Sequence, residues 1–138
     1  MMVPHTPFPM VAPVSEDDLH KAVASLLTVI IAEQGKLSPL GVWWCSIEHR
    51  NAKSAREGAR RKRRGVIAGI PDIMIGYDHR SFWIELKTDK GTLSTTQKCF
   101  HAVLRASGHV VDVCRSLEDV RACLEANRIP VQRIAGIC

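Results

Sequence analysis

Asp72, Glu85 and Lys87 are the residues whose types and spacing could do chemistry. Asp72 follows Pro71 at the head of the apolar run Ile73–Tyr77. Glu85 and Lys87 stand two apart in a second apolar run, Ser81–Lys87. Two carboxylates are hard oxygen ligands suited to a cation such as Mg²⁺ or Mn²⁺, with Glu16 as a third candidate. A cation held this way and open to solvent acidifies a water and neutralises charge on a phosphate. A lysine beside it has three open roles: orienting that water, helping to deprotonate it, or stabilising developing charge. No Cys/His set has zinc spacing, which disfavours zinc. Alone, such a triad is common by chance, and its ordinary meaning is a structural acid–lysine pair on a half-exposed sheet face.

The elements that must position these groups are two short β-rich runs with the turn-like Asp78–Arg80 between them, which predicts a β-hairpin. Side chains alternate along a strand, so Phe82, Ile84 and Leu86 share one face and Trp83, Glu85 and Lys87 the other. A loop of Asp78 and His79 pairs Tyr77 with Arg80 and sets Asp72 opposite Glu85. A loop of His79 and Arg80 sets Asp72 opposite Lys87. Either register brings Asp72 onto the Glu85/Lys87 face, at a cross-strand Cβ separation of roughly 4.5–5.5 Å. Charges gathered in an otherwise apolar sheet are costly unless paired or occupied by a metal.

Around the hairpin, residues 1–14 carry four prolines and no periodicity, which predicts a flexible arm. Ser15 followed by Glu16, Asp17 and Asp18 marks a helix start, and Leu19, Val23, Leu26, Leu27 and Ile30 recur at helical spacing to about Glu33. Glu16 falls near the apolar face of that helix, where a glutamate is unusual, although an acid at a helix N-terminus is ordinary. Val42–Ile47 reads as a strand. Ser94-Thr-Thr-Gln97 has the pattern of a capping box and opens a helix with Phe100, Val103 and Leu104 on its apolar side. Capping alone would account for Gln97. Val110–Cys114 reads as a strand, and Ser116 caps a last helix with Leu117, Val120, Cys123 and Leu124. A helix between two strands predicts a parallel pairing of the last strand. The order predicts an α/β sandwich around a mixed sheet, with a domain over 15–126 and a tail over 127–138.

The 138 residues suffice for one packed core, and a composition of 46% hydrophobic and 24% charged residues is that of an ordinary globular protein. No apolar run approaches the roughly 20 residues of a membrane span. The N-terminus lacks a secretory pattern, and five scattered cysteines without CxxC spacing predict reduced, mostly buried thiols in the cytoplasm. The net charge of +5 is concentrated in Arg50, Lys53, Arg56, Arg60, Arg61, Lys62, Arg63 and Arg64. Ala52, Ala55 and Ala59 predict that this stretch is a short helix ended by Gly65. A solvated helix or a localisation signal are the plain readings. Beside a candidate hydrolytic centre, phosphate contact is the favoured one, supplying affinity and position without base preference.

The wider pattern is Gly65…Gly69-x-Pro71-Asp72, Glu85-Leu-Lys87, then Gly91-x-Leu93-Ser94-x-x-Gln97, preceded by Glu16-x-x-Leu19. Over residues 15–125 it resembles the VRR-NUC family of the PD-(D/E)xK nucleases. The resemblance implies a restriction-endonuclease-like αβββαβ core, a mixed central sheet flanked by helices, a divalent-metal site and hydrolysis of DNA phosphodiesters. By position it makes Asp72 and Glu85 metal ligands, the Leu86 carbonyl a further ligand, Lys87 the catalytic lysine, Glu16 the first-helix acid with Asp18 as its alternative, and Gln97 a supporting residue. His20 departs from the pattern, standing where the family often has Gln. The single-domain form resembles small phage-type members, some of which act as homodimers on branched DNA such as Holliday junctions; a phage-encoded protein would work in the host cytoplasm. The competing expectation is a non-catalytic basic nucleic-acid-binding module whose acidic cluster is only structural.

Overall fold

A computed structural model describes residues 15–47 and 52–133. Its elements are α1 (Glu16–Ile30), β1 (Trp43–Ser46), α2 (Ala55–Arg63), β2 (Ile73–Tyr77), β3 (Arg80–Leu86), α3 (Thr95–Ala106), β4 (Val110–Cys114) and α4 (Leu117–Ala126). The strands form one sheet in the order β1-β2-β3-β4, antiparallel except for the parallel pair β3–β4. The mixed α/β sheet and the crossover through α3 follow the sequence expectation, with helix ends shifted by a few residues. The expected N-terminal arm lies outside the described residues.

Each helix begins where a serine can cap it. Ser15, Ser54, Ser94 and Ser116 accept hydrogen bonds from backbone N–H groups of the first turn, satisfying donors that a helix leaves orphaned. The hairpin turns on Asp78 and His79, at φ 52° and 61°. Left-handed backbone at both central residues is the turn whose twist matches the flanking strands, and Asp and His tolerate it better than most. Tyr77 therefore pairs with Arg80, which selects the first of the two registers.

Strand alternation then divides the molecule into layers. Ile73, Ile75, Phe82, Ile84 and Leu86 face Leu19, Val23 and Leu27 of α1 and Val120, Cys123 and Leu124 of α4 in one buried cluster. Full burial of each such side chain contributes about 1.5–3 kcal/mol. Residues 127–133 do not leave the body as a tail. Ile129 joins the core, and Gln132 donates its backbone N–H and side-chain Nε2 to the carbonyls of Ile30 and Ile31, closing the end of α1.

On the opposite face α3 buries His101 and Leu104. The expected apolar stripe is corrected here: Val103 is 59% exposed and Phe100 only half-buried. The stripe runs instead through 97, 101 and 104, so a polar pair at 97 and 101 occupies positions that an apolar count passes over. The four described cysteines are all free. Cys114 and Cys123 are buried, but Cys45 is half-buried and Cys99 exposed, so burial is less general than expected.

Gly69 sets how closely α3 approaches. Its φ is +88°, and a Cβ there would stand 2.6 Å from the backbone oxygen of Thr96, in the first turn of α3. Gly69→Ala is expected to cost about 1–3 kcal/mol from backbone conformation alone, with the clash against backbone added. Urea unfolding would measure it. A variant within about 0.5 kcal/mol of wild type, the range of an ordinary surface substitution, would contradict this close approach.

Candidate active site

Asp72 leads into β2. Its backbone oxygen accepts the Ile47 N–H at 2.7 Å, and its carboxylate Oδ2 accepts the Leu86 N–H at 2.7 Å. Ile73 opposes Ile84, so the ladder continued by one step sets Asp72 against Glu85. The side chain points to the α3 face of the sheet, as the register required.

Glu85 is only 2% exposed. Its Oε1 accepts the Gln97 Nε2–H at 2.9 Å, while Gln97 Oε1 takes the Ser94 N–H of the capping box. Gln97 thus caps its own helix and reaches the carboxylate, two roles that the capping pattern alone does not separate. Glu85 Oε2 lies 3.4 Å from Nε2 of His101, a fully buried residue that the sequence reading does not single out. Its signal is the spacing of four from Gln97, which stacks the two side chains on one helix face.

Lys87, 8% exposed, extends its ammonium to 3.2 Å from Glu16 Oε1 and 4.0 Å from Glu85 Oε1. α1 brings Glu16, half-exposed at the rim, to this ammonium, while the Asp18 backbone N–H donates to the Ser15 hydroxyl. His20, the departure from the family pattern, approaches Ser46 Oγ at 2.7 Å. After Lys87 the chain turns at Thr88–Gly91. The Arg115 guanidinium donates to the carbonyls of Thr88 and Gly91, bracing that turn. This second supporting residue lies too far away in sequence for local spacing to reveal.

The electrostatics are dominated by two adjacent carboxyls. Burial above all, then the Asp72 carboxylate, pushes the Glu85 carboxyl up to about 8 against the pull of the Lys87 ammonium. Burial also holds His101 below its ordinary range, favouring the neutral imidazole. Among the described residues no group of three or more His, Cys, Asp or Glu side chains is placed to hold a metal ion. The donor set is two neighbouring carboxylates, one of them strongly destabilised as an anion. That chemistry fits a hard cation such as Mg²⁺, which is commonly held by one or two carboxylates with waters and substrate phosphates completing its shell.

The basic residues form a separate feature. α2 buries no side chain, and Lys53, Arg56, Arg60, Lys62, Arg63 and Arg64 are solvent-accessible. Arg61 pairs with Glu57 at 2.8 Å, and Glu57 also accepts the Lys53 N–H. Arg50 lies outside the described residues. The segment 65–70 carries the chain from α2 to Pro71 and Asp72, so the two features are neighbours in sequence.

The model of the VRR-NUC domain matches residues 23–118 of the chain, a span that includes Asp72, Glu85, Lys87, Gln97 and His101. The chain belongs to the VRR-NUC family. It is thus a nuclease-type domain, with nucleic acid as its substrate class. A solved structure described as a VRR-NUC domain protein shares the fold of this VRR-NUC chain with a TM-score of 0.60 and 23% identity, over 82% of this chain and 87% of that one. No match to a curated protein was found. Among the described residues no helix is long and apolar enough to cross a membrane.

The raised Glu85 carboxyl has a consequence for stability. In the unfolded chain it loses its proton near the ordinary value of 4.5, in the folded chain at about 8. Between these values the folded state holds the extra proton, so this contribution to stability is full at low pH and is lost as pH rises through the folded value. Without divalent cations, the melting temperature of wild type should fall relative to Glu85→Gln from about pH 5 to about pH 9, with the variant the more stable at the upper end. Parallel melting curves across that range would show that Glu85 titrates as an ordinary carboxylate.

Proposed function

We propose that this VRR-NUC protein is a divalent-metal-dependent DNA endonuclease of the PD-(D/E)xK type that hydrolyses phosphodiester bonds at the Asp72–Glu85–Lys87 cluster. The observation that carries the reading is a buried Glu85 carboxyl made unstable as an anion by burial and Asp72, with an ammonium 4.0 Å away. Asp72 and Glu85, with the Leu86 carbonyl, would hold Mg²⁺ or Mn²⁺. When bound, the cation supplies a nucleophilic water at neutral pH and neutralises charge on the phosphate.

The chain's own residues divide the remaining work. Lys87, held between Glu16 and Glu85, offers its ammonium to the attacking water and to the charge that develops on the phosphate. Gln97 steadies Glu85. The exposed cations of α2, together with Arg50, bind backbone phosphates and set the strand in register without reading bases. The preference for branched DNA such as Holliday junctions, and action as a homodimer, come from the resemblance to stand-alone phage-type members. A two-fold dimer would suit paired cuts across a symmetric junction.

Incubation of a plasmid and a synthetic four-way junction with Mg²⁺ or Mn²⁺, with and without EDTA, tests the activity. Wild type should cut only with free metal, and Asp72→Ala and Lys87→Ala should lose about 10²–10⁴-fold in rate while keeping the fold. Binding without cutting under either metal would leave a basic nucleic-acid-binding module in place of the enzyme. Replacing Arg60, Arg61, Lys62, Arg63 and Arg64 by glutamine should weaken DNA binding. It should also flatten the salt dependence by about 0.9 in logarithmic slope for each phosphate no longer neutralised. An unchanged slope would remove α2 from the DNA interface.

A further inference from the structure

α3 presents Glu85 with a second nitrogen that the proposed hydrolysis does not use. His101 sits four residues after Gln97 and is completely buried. Its Nε2 faces Glu85 Oε2 at 3.4 Å, while Gln97 Nε2 donates to Oε1 at 2.9 Å. Each carboxylate oxygen thus meets one nitrogen of α3, the two coming from successive turns of a helix that Gly69 allows to pack close. The 3.4 Å separation is long for a hydrogen bond. Such contacts at catalytic centres are commonly long before ligands bind and tighten afterwards.

A histidine retained only for its volume is an expensive way to fill a core, because Nδ1 is buried with no hydrogen-bond partner among the described residues. Leucine would fill most of that space without a polar atom. The orphaned nitrogen also selects the tautomer. With Glu85 ionised, as a cation ligand must be, a proton on Nδ1 would bury an unmatched N–H and turn the Nε2 lone pair toward a carboxylate oxygen. A proton on Nε2 leaves only one lone pair unmatched and gives Oε2 a donor.

We infer that His101 is a positioning residue: in its Nε2–H tautomer it donates to Glu85 Oε2 and, with Gln97 on Oε1, fixes the orientation in which Glu85 meets a cation shared with Asp72. This rests on the reading of Glu85 as a metal ligand and adds the residue that aims it. Partners of this kind, bonded to a ligand rather than to the metal, commonly change metal affinity by 10–100-fold.

Two variants and one spectrum test it on the full chain. Long-range ¹H–¹⁵N NMR of wild type at about pH 9, where the Glu85 carboxyl is ionised, should show the His101 ring protonated at Nε2; a ring protonated at Nδ1 there overturns the inference. Mn²⁺ affinity by calorimetry should weaken about 10–100-fold in His101→Leu. It should return close to wild type in His101→Gln, whose amide can carry an N–H to the place of Nε2. DNA binding in EDTA should be unchanged in both variants. Equal Mn²⁺ affinity in wild type and His101→Leu, or equal losses in both variants, would overturn the positioning role alone. A wild type that binds no Mn²⁺ would instead overturn the metal reading, and the positioning role with it.

Discussion

The constraint on which the structure depends is the placement of a second carboxyl, Glu85, against Asp72 inside a sheet. Glu85 is 2% exposed and carries a carboxyl pushed up to about 8. A carboxyl withdrawn from water beside a second, half-buried one is unstable as an anion, so it gives up its charge or a cation arrives. A fold selected for stability alone would place an apolar residue at position 85. Its neighbours instead supply polar contacts from three directions: the Lys87 ammonium along the strand, Gln97 and His101 from α3, and Asp72 from the adjacent strand, itself fixed by the Leu86 N–H.

The two faces of the sheet divide the labour. The α1/α4 face holds the hydrophobic core, broken by Asp112, whose carboxylate accepts the Cys123 thiol of α4, and the backbone after α4 returns to close α1. The α3 face gives up part of its burial to polar groups. Its precision depends on features with little hydrophobic content: a capping box that doubles as a carboxylate contact, the glycine that lets α3 approach, and Arg115 bracing the turn beyond Lys87. Close placement of polar groups, more than their number, is what a precisely held site requires. α2 has the opposite character, exposed and strongly basic, and its sequence position joins it to the same cluster.

Much of this is legible in the sequence because strand periodicity and turn chemistry are local. Counting through Asp78 and His79 places Asp72 on the Glu85 face, and serines mark the starts of α1, α3 and α4. The glutamate and lysine of the E-x-K pair have to share a face whichever hairpin loop forms. What escapes is long-range or ambiguous. An apolar count misassigns the buried side of α3 because Val103 reads as core, whereas Gln97 and His101 read as surface. Only the burial of Glu85 on that face gives a polar pair a partner there. Arg115 and Gln132 act on segments distant in sequence, beyond the reach of any local pattern. Composition and compartment suggest mostly buried cysteines, but position in the sheet and helices decides burial, and Cys99 points outward.

In the proposed function the Asp72–Glu85 pair shares a divalent cation. A crystal of the wild-type protein grown with Mn²⁺ and measured for anomalous scattering tests it most directly. An anomalous peak is expected between the two carboxylates, at ordinary metal–oxygen distance from Asp72 and Glu85, with Gln97 and His101 still on Glu85. A fully ordered site with no peak at saturating Mn²⁺, or a peak bound elsewhere while Asp72 and Glu85 keep a shared proton, would contradict it.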